Sequence, residues 1–308
     1  VLLLSDTPLM VKMNLETLNC SGFKAWADNS KPVVGPPSPT PNWIPPFHFG
    51  TVGSAHPSKR PGTHSFVDVI DEMGIVGKPR LDVYTFEELG VGPQSRTKVG
   101  SIETESTQYL HSFGVTPNYV VLPLDLQMQI DPLDFRTMIG KFQGAWSGVC
   151  IMDFQGGTQL FETDPFVHVH IANTFENSSG IVMDIGVYNK LPLEKNAIMD
   201  IDLFLNKTAR DSDTTRGGLR RLHFHLSGPS KGKTTYEDLW GADRFLDFYQ
   251  INQAYHGLPY CIYYAMEWWH DGKSYASEAI LKHDICKGTK VYWSRVDTYL
   301  NEPYFVGN

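Results

Sequence analysis

Short runs of apolar and β-branched residues, separated by turn-forming residues, dominate the hydrophobic pattern of this 308-residue chain. Residues 119–122 (Tyr-Val-Val-Leu) and 181–185 (Ile-Val-Met-Asp-Ile) have the composition of β-strands. Residues 167–170 (Val-His-Val-His) alternate between apolar and polar positions, so we expect a strand with both histidines on one face. The pattern predicts an all-β protein: a sandwich, a barrel or a propeller.

Turn signals separate the predicted strands. At residues 12–17 and 282–288 an apolar strand runs into Asn or Asp, whose side chain can close a tight turn. Residues 29–46 contain seven prolines and show no periodicity, which predicts a long loop. Helical signals are few, and the one that we assign is a short turn at residues 235–239.

Composition and charge exclude some classes of function. Hydrophobic residues make up 41% of the chain and charged residues 19%, as in ordinary globular proteins. The net charge of −8 argues against nucleic acid as a partner, because phosphates require a basic face. No apolar run approaches the roughly 18 residues of a membrane-spanning helix, and the opening Val-Leu-Leu-Leu lacks the basic flank of a signal peptide.

The four cysteines are widely separated and form no Cys-x-x-Cys pair: Cys20, Cys150, Cys261 and Cys286. This spacing favours buried, reduced thiols over a disulfide framework, and with them a cytoplasmic location. The chain begins with Val rather than Met, so we interpret it as a fragment or a partial gene model.

Four sequence blocks carry the chemistry. They are Ala-His-Pro at 55–57, His-Ser-Phe-Gly-Val-Thr-Pro-Asn-Tyr at 111–119, His-Ile-Ala-Asn-Thr-Phe-Glu at 170–176 and Glu-Pro-Tyr-Phe-Val at 302–306. In composition and order this set resembles the carotenoid cleavage oxygenases. The resemblance implies a seven-bladed β-propeller with a catalytic Fe(II) on its axis. It covers residues 1–308 as a single domain, with the family fold incomplete at both ends.

In that family four histidines from different blades bind the iron. The first three blocks assign His56, His111 and His170 as three of these ligands. Neutral imidazole suits Fe(II), and four neutral ligands would leave the metal its full positive charge. Ligands so far apart in the sequence fit successive large β-units better than a local metal motif.

Two His-x-His pairs, at residues 168–170 and 223–225, also suit a cupin-like metal site. That alternative makes no use of His56 or His111. The carotenoid oxygenases place their ligand three residues before an Asn, which selects His170. The resemblance makes His168, His223 and His225 blade residues, and His283 lies in a strand-to-turn segment.

The family orients its ligands with glutamates, because a ligating His donates its second N–H to a carboxylate or a carbonyl. Glu302 matches the last of these glutamates. Two other glutamate positions hold Asp here: Asp247 is expected behind His170, and Asp6 behind His111. Asp is one methylene shorter than Glu. Either the backbone approaches more closely, or a water intervenes, or the ligand is held less firmly.

The resemblance implies an Fe(2+)-dependent dioxygenase that cleaves a conjugated double bond of a carotenoid or apocarotenoid with dioxygen and yields carbonyl products. Residues 250–260 favour the animal-type branch, which also contains a retinoid isomerohydrolase, so isomerisation is an alternative. A second alternative is a non-catalytic relative that binds carotenoids or retinoids.

The family's fourth His lies beyond the Glu-Pro-x-Phe-Val block, so we expect the 308-residue chain alone to be inactive. Peripheral membrane association is also expected.

Overall fold

A computed structural model describes residues 2–3, 11–23, 51–73, 78–87, 95–127, 147–192, 197–198, 200, 203, 205–241, 244–272, 274 and 277–307. The predicted loop at 29–46 lies outside these residues. The chain divides into two compact units. Unit 1 comprises residues 1–141 and 151–159, and unit 2 comprises residues 142–150 and 160–308.

The described part of unit 1 consists of antiparallel strands. A small sheet contains β1 (Leu2–Leu3), β2 (Val11–Met13) and β3 (Cys20–Phe23) in that order. A larger sheet contains β4 (Thr51–Gly53), β5 (Ser58–Lys59), β6 (Ser65–Glu72), β7 (Arg80–Glu87) and β8 (Arg96–Glu103). Its order is β4–β6–β7–β8, and β5 pairs with β6. Strands β9 (Gly114–Val115) and β10 (Tyr119–Leu124) form a further antiparallel pair.

Strands β11 (Ser147–Asp153) and β12 (Thr158–Thr163) each contribute residues to both units. Unit 2 continues with β13 (Ile171–Glu176), β14 (Gly180–Tyr188), β15 (Gly217–His225) and β16 (Thr234–Trp240). It then has β17 (Phe245–Ile251), β18 (Ile262–Trp268), β19 (Ala279–Asp284) and β20 (Thr289–Ser294). A helix, α1 (Lys207–Ser212), and a 3-10 turn (Gln253–Tyr255) lie between strands.

The eight strands from β13 to β20 form two antiparallel meanders of four strands each, β13–β16 and β17–β20. The meanders join where β15 pairs in parallel with β17 at Gly217 and Phe245. A four-stranded antiparallel meander is the repeating unit of a β-propeller. In these two meanders every residue of β14 is buried, and so are Tyr263 and Leu281. No described helix is long and apolar enough to cross a membrane.

Most of the predicted elements are confirmed, and two are corrected. The runs at 119–122 and 181–185 lie in β10 and β14, and the Asn and Asp turns at 14 and 284 form as expected. The predicted helical turn at 235–239 is wrong, because this Thr- and Tyr-containing segment pairs with β15 as strand β16. The expected strand at 167–170 is reduced to a single bridge at Val167, and the regular strand begins only at Ile171.

The prediction of reduced thiols is wrong for two of the four cysteines. Cys261 and Cys286 form a disulfide, with their Cα atoms 5.2 Å apart. Cys261 immediately precedes β18 and Cys286 follows β19, and these two strands are antiparallel neighbours. The hairpin therefore brings together two residues whose separation in the sequence gives no local motif. Cys20 and Cys150 are not disulfide-bonded, and burial raises the pKa of Cys150 to about 12.

Candidate metal centre

His56 and His111 meet inside unit 1. Their Nε2 atoms are 3.0 Å apart, and their rings are inclined by 63° with centroids 4.8 Å apart. His56 lies just before β5 and His111 just before β9, so neither histidine is inside a regular strand. Ser54 links the two segments: its hydroxyl donates to the carbonyl of His111 (2.8 Å) and accepts from the amide of His56 (3.1 Å). Ser54 is buried, so this link holds both backbones at a fixed separation.

The separation of the two Nε2 atoms suits a shared metal ion. Imidazole nitrogens bind a divalent metal at about 2.0–2.1 Å, and two such ligands at a right angle lie about 3.0 Å from each other. Without an ion, the same separation is a hydrogen bond if one ring carries its proton on Nε2. In either case both Nε2 atoms point to one place, as the ligand assignment requires.

The other ring nitrogen of His111 faces a tyrosine. Its Nδ1 lies 3.2 Å from the hydroxyl of Tyr109, a buried residue two positions earlier in the chain. The turn after His111 is closed by Thr116, whose hydroxyl accepts from the amides of Asn118 and Tyr119. These bonds give the Thr of this block a structural role. Asp6, expected behind His111, lies outside the described residues.

His170 is held from behind by Asp247. Nδ1 of His170 lies 2.9 Å from Oδ1 of Asp247, and both side chains are buried. The contact is direct, so no water intervenes. Burial alone would raise the pKa of Asp247, but the neighbouring His170 ring and its hydrogen bond keep that pKa below the ordinary value. Because Nδ1 is used by Asp247, Nε2 is the ring atom of His170 that would bind a metal.

The predicted metal-site residues belong to different units. His56 and His111 lie in unit 1, whereas His170, Asp247 and Glu302 lie in unit 2. The predicted binding of one ion by all three histidines therefore stays a prediction. Glu302 is exposed, and its carboxylate accepts a hydrogen bond from the side-chain amide of Gln250 (2.8 Å).

The histidines of the cupin-like alternative, and also His283, have other neighbours. Nε2 of His223 lies 3.8 Å from Glu237, and Nε2 of His225 lies 3.2 Å from the hydroxyl of Thr235. His283 is buried against Trp240 and Tyr263. Within the described ranges, none of these histidines belongs to a group of three or more metal-binding side chains, and neither does His168.

Sequence reasoning missed Ser54, the role of Tyr109, and Phe248, whose ring lies 5.0 Å from that of His170. Ser54 and Tyr109 each stand two residues before a predicted ligand, a spacing that places side chains on one face of an extended segment. That spacing is a signal that could have been read. Phe248 stands next to Asp247, and nothing in the sequence marks its conformation.

Comparisons with known proteins agree with the block pattern. A family model described as retinal pigment epithelial membrane protein (RPE65) matches residues 1–308. The β,β-carotene 15,15'-dioxygenase of Mus musculus is 26% identical over 290 residues, which covers 75% of this chain and 48% of the mouse protein. The carotenoid isomerooxygenase of Galleria mellonella is 23% identical over 213 residues, covering 64% of this chain and 40% of that protein. The chain thus spans about half the length of these curated relatives or less.

Solved structures give the fold. A mutant of the Synechocystis apocarotenoid oxygenase superposes with a TM-score of 0.68 at 17% identity, covering 96% of this chain and 57% of the other. A chimera of that oxygenase and RPE65 gives a TM-score of 0.69 at 18% identity, covering 95% and 57%. These likenesses confirm the predicted all-β, propeller-type fold.

Proposed function

Because the chain belongs to the retinal pigment epithelial membrane protein family, the family of RPE65 and the carotenoid oxygenases, we propose that the protein is an Fe(2+)-dependent dioxygenase. Its substrate is a carotenoid or apocarotenoid, and its products are the two carbonyl compounds formed when O2 cleaves a conjugated double bond. The names of the mouse and Synechocystis proteins support this substrate class. Three histidines hold the metal: His56, His111 and His170.

One observation carries the proposal. The Nε2 atoms of His56 and His111 lie 3.0 Å apart, the separation of two imidazoles on one ion. Neutral nitrogen donors suit Fe(2+), and the donors present therefore fit the metal. His170 supports it independently, since Asp247 occupies Nδ1 and leaves Nε2 as the donor. When bound, Fe(2+) would supply the activation of dioxygen.

The protein's own residues orient the ligands. Ser54 fixes the backbones of His56 and His111, and Asp247 fixes the tautomer and the ring direction of His170. Double-bond cleavage by dioxygen needs no general base, so the chemistry requires no further titrating side chain. Glu302 is proposed to orient a further ligand. Asp6 is proposed to orient His111. A cytoplasmic location and peripheral membrane association are also proposed; the Cys261–Cys286 disulfide removes the argument from reduced thiols for that location.

The test uses the full natural protein, loaded anaerobically with Fe(2+) and then exposed to O2 and β-carotene or an apocarotenoid. We expect aldehyde products that incorporate label from 18O2, and we expect none from the His56→Ala or His170→Ala variants. Metal binding without any product from these substrates would contradict the dioxygenase proposal.

A second candidate is double-bond isomerisation, which the name of the isomerooxygenase relative favours. The same incubation, analysed for geometric isomers and repeated with a retinyl ester, separates the two candidates. Isomers without labelled aldehydes would favour the isomerase. Tight binding of a carotenoid without any turnover would favour a binding protein.

A further inference from the structure

Strand β17 contains one extra residue opposite β18. Asp247 pairs with Met266 and Gln250 pairs with Tyr264, so three steps along β17 match two steps along β18. Phe248 lies within this interval, and its φ of 56° is in the left-handed region that non-glycine residues rarely adopt. An extra residue in one strand of an antiparallel pair is a β-bulge, which locally reverses the alternation of side chains.

The core shows the effect of this reversal. Leu246, Tyr249 and Ile251 belong to one cluster of buried residues. In a regular strand, side chains three positions apart point to opposite faces, so Leu246 and Tyr249 could not share a core. The bulge lets both pack there. Asp247 lies between these two residues in the chain, and its carboxylate contacts His170 instead.

Tyr249 fixes the second half of the strand. Its buried hydroxyl lies within hydrogen-bonding distance of the carbonyls of Gly218 (3.1 Å) and Leu246 (2.9 Å). Its ring packs so closely on Gly186 that a Cβ atom there would lie 2.7 Å from the ring. With Tyr249 held in the core, a regular strand would turn Asp247 to that same face and away from His170.

We propose that Phe248 is a positioning residue whose left-handed backbone reverses the alternation in β17 and so aims Asp247 at Nδ1 of His170. This inference rests on the proposed function, in which His170 binds the metal. The feature that matters is the backbone conformation, and the ring of Phe248 is secondary.

Three substitutions separate backbone from ring: Phe248→Gly, Phe248→Asn and Phe248→Val. All three remove the ring contact with His170. Gly and Asn tolerate a left-handed conformation, whereas β-branched Val resists it. In the full natural protein we expect Gly and Asn to keep Fe(2+) affinity close to that of the wild type. We expect Val to weaken it by about 10–100-fold.

The measurement is anaerobic Fe(2+) titration, together with the absorption spectrum of the Co(2+)-substituted protein, which reports ligand geometry. Trp269 supplies a matched control, since it is an aromatic residue with φ of 61° beyond the end of β18. Trp269→Gly and Trp269→Val should bind metal equally well, although their stabilities differ.

Two outcomes would overturn the positioning role. Equal weakening by all three Phe248 substitutions would assign the effect to the ring, and undiminished binding by Phe248→Val would show that the bulge is dispensable. His170→Ala identifies where a failure lies. If His170→Ala does not weaken metal binding, the proposed function fails. If it does and Phe248→Val does not, only the positioning role fails.

Discussion

Replacing Asp247 with Ala should weaken metal binding, because it removes the acceptor that lies 2.9 Å from Nδ1 of His170. The site is fully buried, so no solvent replaces the lost carboxylate. A buried donor left without its partner costs about 1–3 kcal/mol. Loss of the group that orients a metal ligand costs about 10–100-fold in affinity, or about 1.4–2.7 kcal/mol. The two ranges agree, so we expect the Kd for Fe(2+) to rise about 10–100-fold.

Asp247→Asn provides the graded comparison. Its amide oxygen can still accept from Nδ1 of His170 but carries no charge, so the loss should be smaller than that of Asp247→Ala. The assay is anaerobic Fe(2+) titration of both variants and of Asp238→Ala. In that control the acid removed is exposed and pairs with Arg220 rather than with His170.

Thermal unfolding of the metal-free proteins checks that all variants are folded before the affinities are compared. A Kd for Asp247→Ala equal to that of the wild type, in a folded protein, would refute the reasoning. It would show that His170 does not need its hydrogen bond in order to bind the metal.

Three further predictions concern stability. Burial raises the pKa of Asp71 to about 8 from an ordinary 3.8. The stability that the protonated Asp71 contributes is therefore full below pH 3.8 and is lost as pH rises through 8. Asp71→Asn should unfold at a higher urea concentration than the wild type at pH 9 but not at pH 4. Cys261→Ser should cost about 3.5 kcal/mol in the oxidised protein, from the 25-residue separation of the cysteines; unchanged urea midpoints after reduction of the wild type would contradict this. Arg221→Ala leaves buried Asp184 without its two guanidinium contacts and should lower the free energy of unfolding by about 3–5 kcal/mol. Arg220→Ala breaks the exposed pair with Asp238 and should lower it by under about 1 kcal/mol in the same denaturation assay.

The local signals of the sequence were reliable where neighbours in the chain decide the outcome. The strand at 181–185 is confirmed because a run of β-branched residues suits a sheet buried on both faces. The Asn turn at 14 is confirmed because its side chain bonds to amides two and three residues on. The segment at 235–239 forms a strand rather than the predicted turn, because pairing with β15 outweighs a weak local helical preference.

The sequence by itself determined the fold class, the family, and the identity of His56, His111, His170 and Asp247 as candidate site residues, since these depend on residue type and order. Only the tertiary structure decided how the side chains meet. It paired Cys261 with Cys286 through neighbouring strands, brought two Nε2 atoms within 3.0 Å of each other, and let Asp247 contact His170 without a water. The physical reason is that a strand's register and a bulge at one residue decide which face each side chain occupies. Both are set by packing against residues distant in the chain.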